Sequence, residues 1–359
     1  MAKTNNTINF LDKSLRVFFT DALKISLKRP SQAWFFFRTV RWQTKAARLR
    51  KRWGKKGLLV PPIMIFSITE RCNLHCKGCY AQALHKNTNS EMSDEKIRKV
   101  MDESRELGIS FMVIAGGEPL IRPGVVNILN DYPEIIFLLF TNGLLINDKL
   151  LDEFCNQKNV VPIISLEGYE QDTDTRRGKG VYKHLEKVMT KLNNSNVFFG
   201  TSVTLTSTNL DSVINDNFIK KLVDTGCKMF FFLEYTPIAE GTENLIVTNS
   251  QRKNIMELIL SFRKKYRGLF IAVPGDEEDV GGCMSAGRGF VHLSAEGNME
   301  PCPFAPYSDT NLNDMSLKDA LQSEFLQTIR DNHDKLTETE GGCALWIERE
   351  WVSSLLQHK

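Results

Sequence analysis

Six runs of strand-forming residues alternate with helical stretches through the middle of this 359-residue chain, and that alternation constrains the fold more than any other feature. The runs are 63–69, 111–115, 135–141, 161–166, 198–205 and 229–235. Helical patterns fill 94–107, 125–131, 148–156, 181–192, 211–225 and 251–266. Consecutive βα units imply parallel strands, right-handed crossovers and helices packed outside the sheet. A flat doubly wound sheet and a curved partial barrel both satisfy the pattern. In either, ligand-binding residues gather at the C-terminal ends of the strands.

The sequence changes character at those ends. Cys72-Asn73-Leu74-His75-Cys76-Lys77-Gly78-Cys79-Tyr80 follows the first run, and Gly116-Gly117-Glu118-Pro119 follows the second. Thr141-Asn142-Gly143 ends the third, Ser165-Leu166-Glu167-Gly168 the fourth, Thr204 to Asn209 the fifth, and Glu234-Tyr235-Thr236-Pro237 the sixth. A purely structural sheet has no need of polar or glycine-rich content at six consecutive ends. The C-x3-C-x2-C thiols sit at i, i+4 and i+7, which would share one helix face, and free cysteines are often buried. Against a core stripe, Asn73 and Gly78 are poor helix-interior residues, and His75 and Lys77 are polar. Three thiolates with His75 would suit zinc. Three thiolates alone can hold three corners of a four-iron cluster and leave the fourth iron open to a chelating ligand.

Hydrophobic and charged fractions of 42% and 25% suit a soluble globular chain, and no apolar run reaches the ~20 residues of a membrane span. The eight cysteines form no dense secreted framework, and no signal pattern opens the chain. A reducing cytoplasm, with thiols used for metal binding or catalysis, is expected. The net charge of +3 is uneven: fourteen Lys or Arg and one acid, Asp21, lie between Lys13 and Lys56, a segment of +13, so the remainder carries −10. Within 1–58, Leu11, Leu15, Phe18, Ala22 and Ile25 share a helical spacing, Pro30 breaks that helix, and a second follows with Trp34, Phe35, Phe36, Phe37, Val40 and Trp42 among arginines and lysines. Such a segment suits peripheral contact with an anionic membrane at the inner face. Packing on the main body is the second reading, and no nucleic-acid partner is expected.

The alternation stops near residue 273, at Pro274-Gly275-Asp276 and Gly281-Gly282. A hairpin through Phe290–Leu293 and Met299–Glu300 would bring Cys283 and Cys302 together. A helix near 317–330 follows, then Gly341-Gly342-Cys343. Cys155 and Cys227, among apolar neighbours, read as core. Three units are expected: a basic helical extension (1–58), an α/β body (59–272) and a small cysteine-bearing domain (273–359).

Cys72, Cys76 and Cys79 followed one βα unit later by Gly116-Gly117-Glu118-Pro119 resemble the core of radical S-adenosylmethionine (SAM) enzymes, over residues 60 to about 345. The resemblance implies a partial (β/α)6 TIM barrel and a [4Fe-4S] cluster that cleaves SAM reductively to a 5′-deoxyadenosyl radical. It also implies an electron donor such as ferredoxin or flavodoxin. By the same resemblance, Gly116 and Gly117 let backbone approach the methionine moiety, and Glu118 accepts from its ammonium. Pro119 completes the loop. Ser165 meets the carboxylate or ribose, and Arg177, with Arg176 beside it, meets the carboxylate. Glu167 replaces a more usual Asp. Asn142 and Thr204 contact ribose, and Glu234 and Tyr235 border the adenine. Gly78 stands where the family usually has an aromatic residue.

The tail resembles the SPASM/twitch subgroup, whose C-x13-G-x4-C opening is present as Cys283, Gly297 and Cys302. Only Cys343 follows, which points to the shorter twitch form with one auxiliary [4Fe-4S] cluster. The expected function is a radical SAM oxidoreductase or transferase-type enzyme acting on a peptide, a protein or a membrane-proximal molecule. The alternative is a non-catalytic iron–sulfur or zinc sensor or scaffold.

Overall fold

The computed structural model describes residues 2–84, 90–273, 282–336 and 343–357, with side chains from residue 7. The expected break at 274–276 and 281 and the glycines 341–342 lie outside the described residues. In chain order the elements are α1 (Ala2–Ser26), α2 (Pro30–Gly54), β1 (Ile63–Thr69), α3 (Tyr80–Leu84), α4 (Asp94–Leu107), β2 (Phe111–Gly116), α5 (Val125–Asn130), β3 (Ile136–Thr141) and α6 (Asp148–Asn156). Next come β4 (Val160–Leu166), α7 (Glu170–Arg177), α8 (Val181–Asn194), β5 (Gly200–Leu205), α9 (Leu210–Val213), α10 (Asp216–Asp224), β6 (Met229–Glu234), α11 (Asn249–Lys265) and β7 (Leu269–Val273). The tail adds β8 (Phe290–Leu293), β9 (Met299–Glu300), α12 (Leu317–Ala320), α13 (Glu324–Asp331), α14 (Ala344–Ile347) and α15 (Arg349–Ser354).

One sheet runs β7-β6-β5-β4-β3-β2-β1-β8-β9, and it is not closed. Every neighbouring pair is parallel except the β8–β9 hairpin. The alternation therefore gave the right class and undercounted the sheet. Leu269–Val273 adds a seventh parallel strand, and β8 adds an eighth by pairing with β1 rather than standing apart. Both extra strands are short, and β8 lies far from β1 in sequence, so local periodicity could not signal its partner. The helix expected at 211–225 breaks at Ile214, where Asn215 caps α10 by accepting from Phe218 N–H. The one expected at 317–330 likewise splits, with Ser323 capping α13.

Local signals start and stop the outer helices. Ser93 caps α4, Asp94 and Glu95 occupy its first turn, and Gly108 closes it in the left-handed region (φ 94°). A capping box of Thr248 and Gln251 opens α11. The outer faces of the strands and these helices form one apolar core that includes Met64, Phe66, Ile114, Phe137, Leu139, Phe199, Phe230 and Phe232.

The inner faces form a second core, and the N-terminal helices complete it. Phe111, Ile136, Val161, Phe198, Met229 and Leu269, all at or beside strand starts, cluster with Leu15, Phe19, Ala22 and Phe36. Phe18 and Phe19 meet Phe111 edge-on, and Phe36 meets Phe198 with ring centroids 4.9 Å apart. The α1–α2 hairpin is thus the floor of the barrel. It also serves backbone groups there: Gln43 donates to Ser110 O (3.1 Å), Gln32 to Asn196 O, and buried Arg50 to Gly108 O and Asp12. The helix pair and the break before Pro30 are as expected, but the buried stripe of α1 is Leu11, Leu15, Phe19 and Ala22, with Phe18 at its side.

Truncating Phe19, which is fully buried in the floor, is expected to cost about 3–5 kcal/mol. Urea unfolding of Phe19→Ala against wild type measures it; an unchanged midpoint would show that the hairpin is not part of the barrel core.

Candidate active site

The three-cysteine loop leaves β1 through a register shift. Ser67 pairs with Ala115, but Thr69 pairs with Gly116. The Gly-Gly-Glu segment then runs beside the departing chain: Gly117 N–H donates to Thr69 O and Glu118 N–H to Arg71 O, both at 2.8 Å. This explains both glycines. A Cβ on Gly116 would lie 2.2 Å from Thr69 O, and one on Gly117 would lie 2.2 Å from Arg71 O. The close backbone approach that needs glycine is made within the chain itself, to the segment that delivers Cys72.

Glu118 is fully buried. It accepts from Thr141 Oγ1 (2.7 Å), Asn142 N–H (2.6 Å) and Leu120 N–H (3.0 Å), so it latches the end of β2 to the end of β3. Burial raises its pKa, and these donors with Arg177 only partly offset the rise. The carboxylate is turned into this latch. Pro119, also buried, starts a short 3₁₀ turn behind it. Asn142 extends the latch, since its Nδ2 donates to Asn73 Oδ1 (2.7 Å) inside the cysteine loop.

From the other side, Arg176 and Arg177 share one buried carboxylate. Arg176 Nη1 lies 2.7 Å from Glu167 Oε2, and Arg177 Nε lies 2.9 Å from Glu167 Oε1. Arg176 also grips the loop backbone: its Nε donates to Lys77 O (3.1 Å), and Lys77 N–H donates to Arg176 O (3.0 Å). Burial works against the Arg176 charge, but Glu167, Cys76 and Cys79 together hold the pKa above the ordinary value. Sequence reasoning placed the carboxylate-binding role on Arg177 and missed the loop clamp by Arg176.

Cys72, Cys76 and Cys79 are all free and partly exposed. Burial pushes the Cys72 and Cys76 thiols up, while Arg177 and Arg176 pull Cys76 back toward the thiolate. Among the described residues, no three His, Cys, Asp or Glu side chains converge on a single metal ion. Gly78 adopts φ 66°, and a Cβ there would lie 2.5 Å from the Tyr235 hydroxyl. The ring that borders this part of the loop therefore comes from the end of β6. Tyr235 is fixed by a hydrogen bond to Thr242 Oγ1 (3.0 Å) and lies beneath the Arg176 guanidinium.

The remaining expected contacts divide. Ser165 and Thr204 face the interior with partial exposure, and Ser165 Oγ accepts from Ser202 Oγ (3.3 Å). Glu234 forms a two-pronged ion pair with Arg252 (2.6 and 2.7 Å).

In the tail Cys343 contacts Cys302 and Cys283 lies near enough to act on it, although the three do not converge on one metal position. Cys283, Cys302 and Cys343 are buried, and contact with Cys343, then burial, raises the Cys302 thiol well above its ordinary value. Two buried guanidiniums serve the loop that carries Cys283: Arg288 donates to Cys283 O (2.6 Å) and Arg330 to Ala286 O (2.9 Å). Burial lowers Arg330 to about 10. Its Nε and the Ser285 hydroxyl are buried without a partner. Unmatched donors on and beside the loop that carries Cys283 are groups that a thiolate-bound centre would satisfy. Tyr80 joins the two sites. Its ring packs edge-on against Phe304, and burial, then Cys79 and Cys302, pushes its pKa up.

A buried chain that the sequence did not announce ties the hairpin to β1. Ser67 Oγ lies 2.8 Å from His292 Nε2, and His292 Nδ1 lies 2.7 Å from Glu300 Oε2. Cys227 is core as expected, whereas Cys155 is half-buried and donates to Ser195 O (3.2 Å).

Residues 66–216 match the radical SAM superfamily. The chain is 22% identical to an AdoMet-dependent heme synthase of Methanosarcina barkeri, over 79% of this chain and 88% of that one. It is 29% identical to a GTP 3′,8-cyclase of Clostridium perfringens, over 73% and 86%. Streptococcus suis SuiB bound to precursor peptide SuiA shares the fold, with a TM-score of 0.65 and 16% identity, over 87% of this chain and 75% of that one.

Gly78→Ala is expected to displace the cysteine loop and reduce the iron retained after anaerobic reconstitution, and adding Tyr235→Phe should restore part of it by removing the 2.5 Å conflict. Equal iron in wild type and Gly78→Ala would show that Tyr235 does not shape the loop.

Proposed function

We propose that this chain, which carries a radical SAM domain at residues 66–216, holds a [4Fe-4S] cluster on Cys72, Cys76 and Cys79 and binds SAM at its open iron. One observation carries the proposal: the only loop with three partly exposed thiols among the described residues is held by the ends of β2, β3 and α7. When bound, such a cluster would supply one electron to the sulfonium of SAM, breaking its C5′–S bond to give methionine and a 5′-deoxyadenosyl radical able to remove a hydrogen atom from substrate.

This chain's residues do the rest. Glu118, Asn142 and Arg176 hold the loop. Arg177, beside Cys76 and Glu118, provides positive charge for the SAM carboxylate, and its pairing with Glu167 fixes its direction. The Gly116–Gly117 backbone, Ser165 and Thr204 line the remaining polar wall, and Tyr235 supplies an aromatic surface at the β6 end. Cys283, Cys302 and Cys343 hold an auxiliary cluster, with Arg288 on the Cys283 carbonyl as nearby positive charge. The units run 1–58, 59–272 and 273–359. Ferredoxin or flavodoxin is the electron donor, the first unit touches an anionic membrane, and the reaction is of oxidoreductase or transferase type. Peptides are the first substrate class to test, because structures of this fold hold them: SuiB with SuiA, and anSMEcpe with Cp18Cys peptide.

Reconstituted protein with dithionite and SAM should release 5′-deoxyadenosine, and Cys72→Ala should release none. Product from Cys72→Ala at the wild-type rate would refute the assignment. Cys302→Ala should lose about four iron per chain while keeping measurable SAM cleavage; unchanged iron would remove the auxiliary cluster.

A further inference from the structure

We infer that the outer face of the α1–α2 hairpin is the surface that docks on an anionic bilayer, and that docking there turns the active-site mouth away from the membrane. The inference rests on the proposed membrane contact and fixes its residues and orientation. The two faces of α2 are cleanly divided. Gln32, Phe36, Thr39, Gln43, Ala46 and Arg50 are buried against the strand starts. Half a turn round, Trp34, Phe37, Arg41, Lys45 and Arg48 are exposed and recur at the 3/4 spacing of one helical stripe.

The stripe has two parts. At the hairpin tip, Leu27 is 62% exposed and Trp34 61%, and Trp34 stacks on Phe37 with ring centroids 5.6 Å apart. Along the rest run Arg41, Lys45 and Arg48. Asp21, the one acid between Lys13 and Lys56, is paired with Lys24 (2.8 Å). Apolar side chains that enter the headgroup boundary beside a row of cations are the elements of interfacial binding to anionic lipid. Charge alone would suit any polyanion; the exposed Leu27, Trp34 and Phe37 favour a lipid surface. Burial of the opposite face means that the helices bind as part of the folded barrel.

Orientation follows from the parallel sheet. The starts of the parallel strands β1 to β7 sit on the hairpin, and the cysteine loop and Glu118 latch sit at the strand ends. A bilayer against the hairpin therefore lies across the barrel from the mouth. Substrate would then enter from the aqueous side, which argues against a substrate drawn directly from the bilayer.

The full chain should sediment with phosphatidylcholine vesicles that contain phosphatidylserine and not with phosphatidylcholine alone. Arg41→Glu/Lys45→Glu/Arg48→Glu should weaken binding by about tenfold or more, as should Leu27→Ala/Trp34→Ala/Phe37→Ala. Brominated acyl chains should quench Trp34 fluorescence, isolated by difference from Trp34→Phe. They should leave unquenched an indole introduced as Lys149→Trp, in the first turn of α6 at the mouth, in the Trp34→Phe background. No vesicle binding by wild type, binding indifferent to the substitutions, or retention on heparin without vesicle binding would overturn the surface. Quenching at position 149 but not at 34 would overturn the orientation. SAM cleavage is measured without vesicles, so failure here is separable from failure of the catalytic reading.

Discussion

The structure depends on the pairing of the Gly-Gly-Glu segment with the chain that leaves β1. Two backbone hydrogen bonds of 2.8 Å fix Thr69 and Arg71, and the cysteine loop begins at the next residue. Everything around it serves to hold that loop. Glu91 accepts from Thr69 Oγ1, from Glu70 N–H and from Arg71, and Arg122 donates to Met92 O (2.7 Å) just beyond. Asn142 and Arg176 clamp the loop from two further directions. A cluster held by three residues on one loop needs such rigidity, because the open corner must be presented at a fixed place relative to SAM and substrate.

Burial divides the charged residues into those that hold the structure and those that remain for ligands. Glu118 and Glu234 both have internal partners. Each joins segments that are distant in sequence, so the polar ring at the strand ends is largely a self-satisfied network. Positive charge remains beside the thiols at Arg177, so the first site favours an anionic occupant. Tyr80, influenced by Cys79 and Cys302 alike, links the two groups of cysteines.

The sheet's class, the positions of its first six strands and the placement of polar residues at their ends were legible, because period-2 and period-3.6 patterns are local. The motif cysteines and Gly116-Gly117-Glu118 were legible for the same reason. What escaped was non-local. Nothing in Phe290–Leu293 announces pairing with Ile63 to Phe66, and nothing near Ser67 announces His292. Similarly, the hydroxyl of Tyr235 against Gly78 links residues 157 positions apart. For the basic N-terminus the composition left two readings open, membrane contact and packing on the main body; the fold uses one face as the barrel floor and leaves the other exposed. Phe36 and Phe37 are adjacent, yet one is buried and the other is not.

The central claim is that the loop of Cys72, Cys76 and Cys79 presents one open iron to SAM. Electron–nuclear double resonance on the reduced, reconstituted Cys302→Ala protein tests it most directly, using SAM labelled with ¹⁵N at the amino group and ¹⁷O at the carboxylate. The account predicts hyperfine coupling of both labels to the cluster spin, lost on Cys76→Ala. A cluster signal unchanged by SAM, with no coupling from either label, would contradict it.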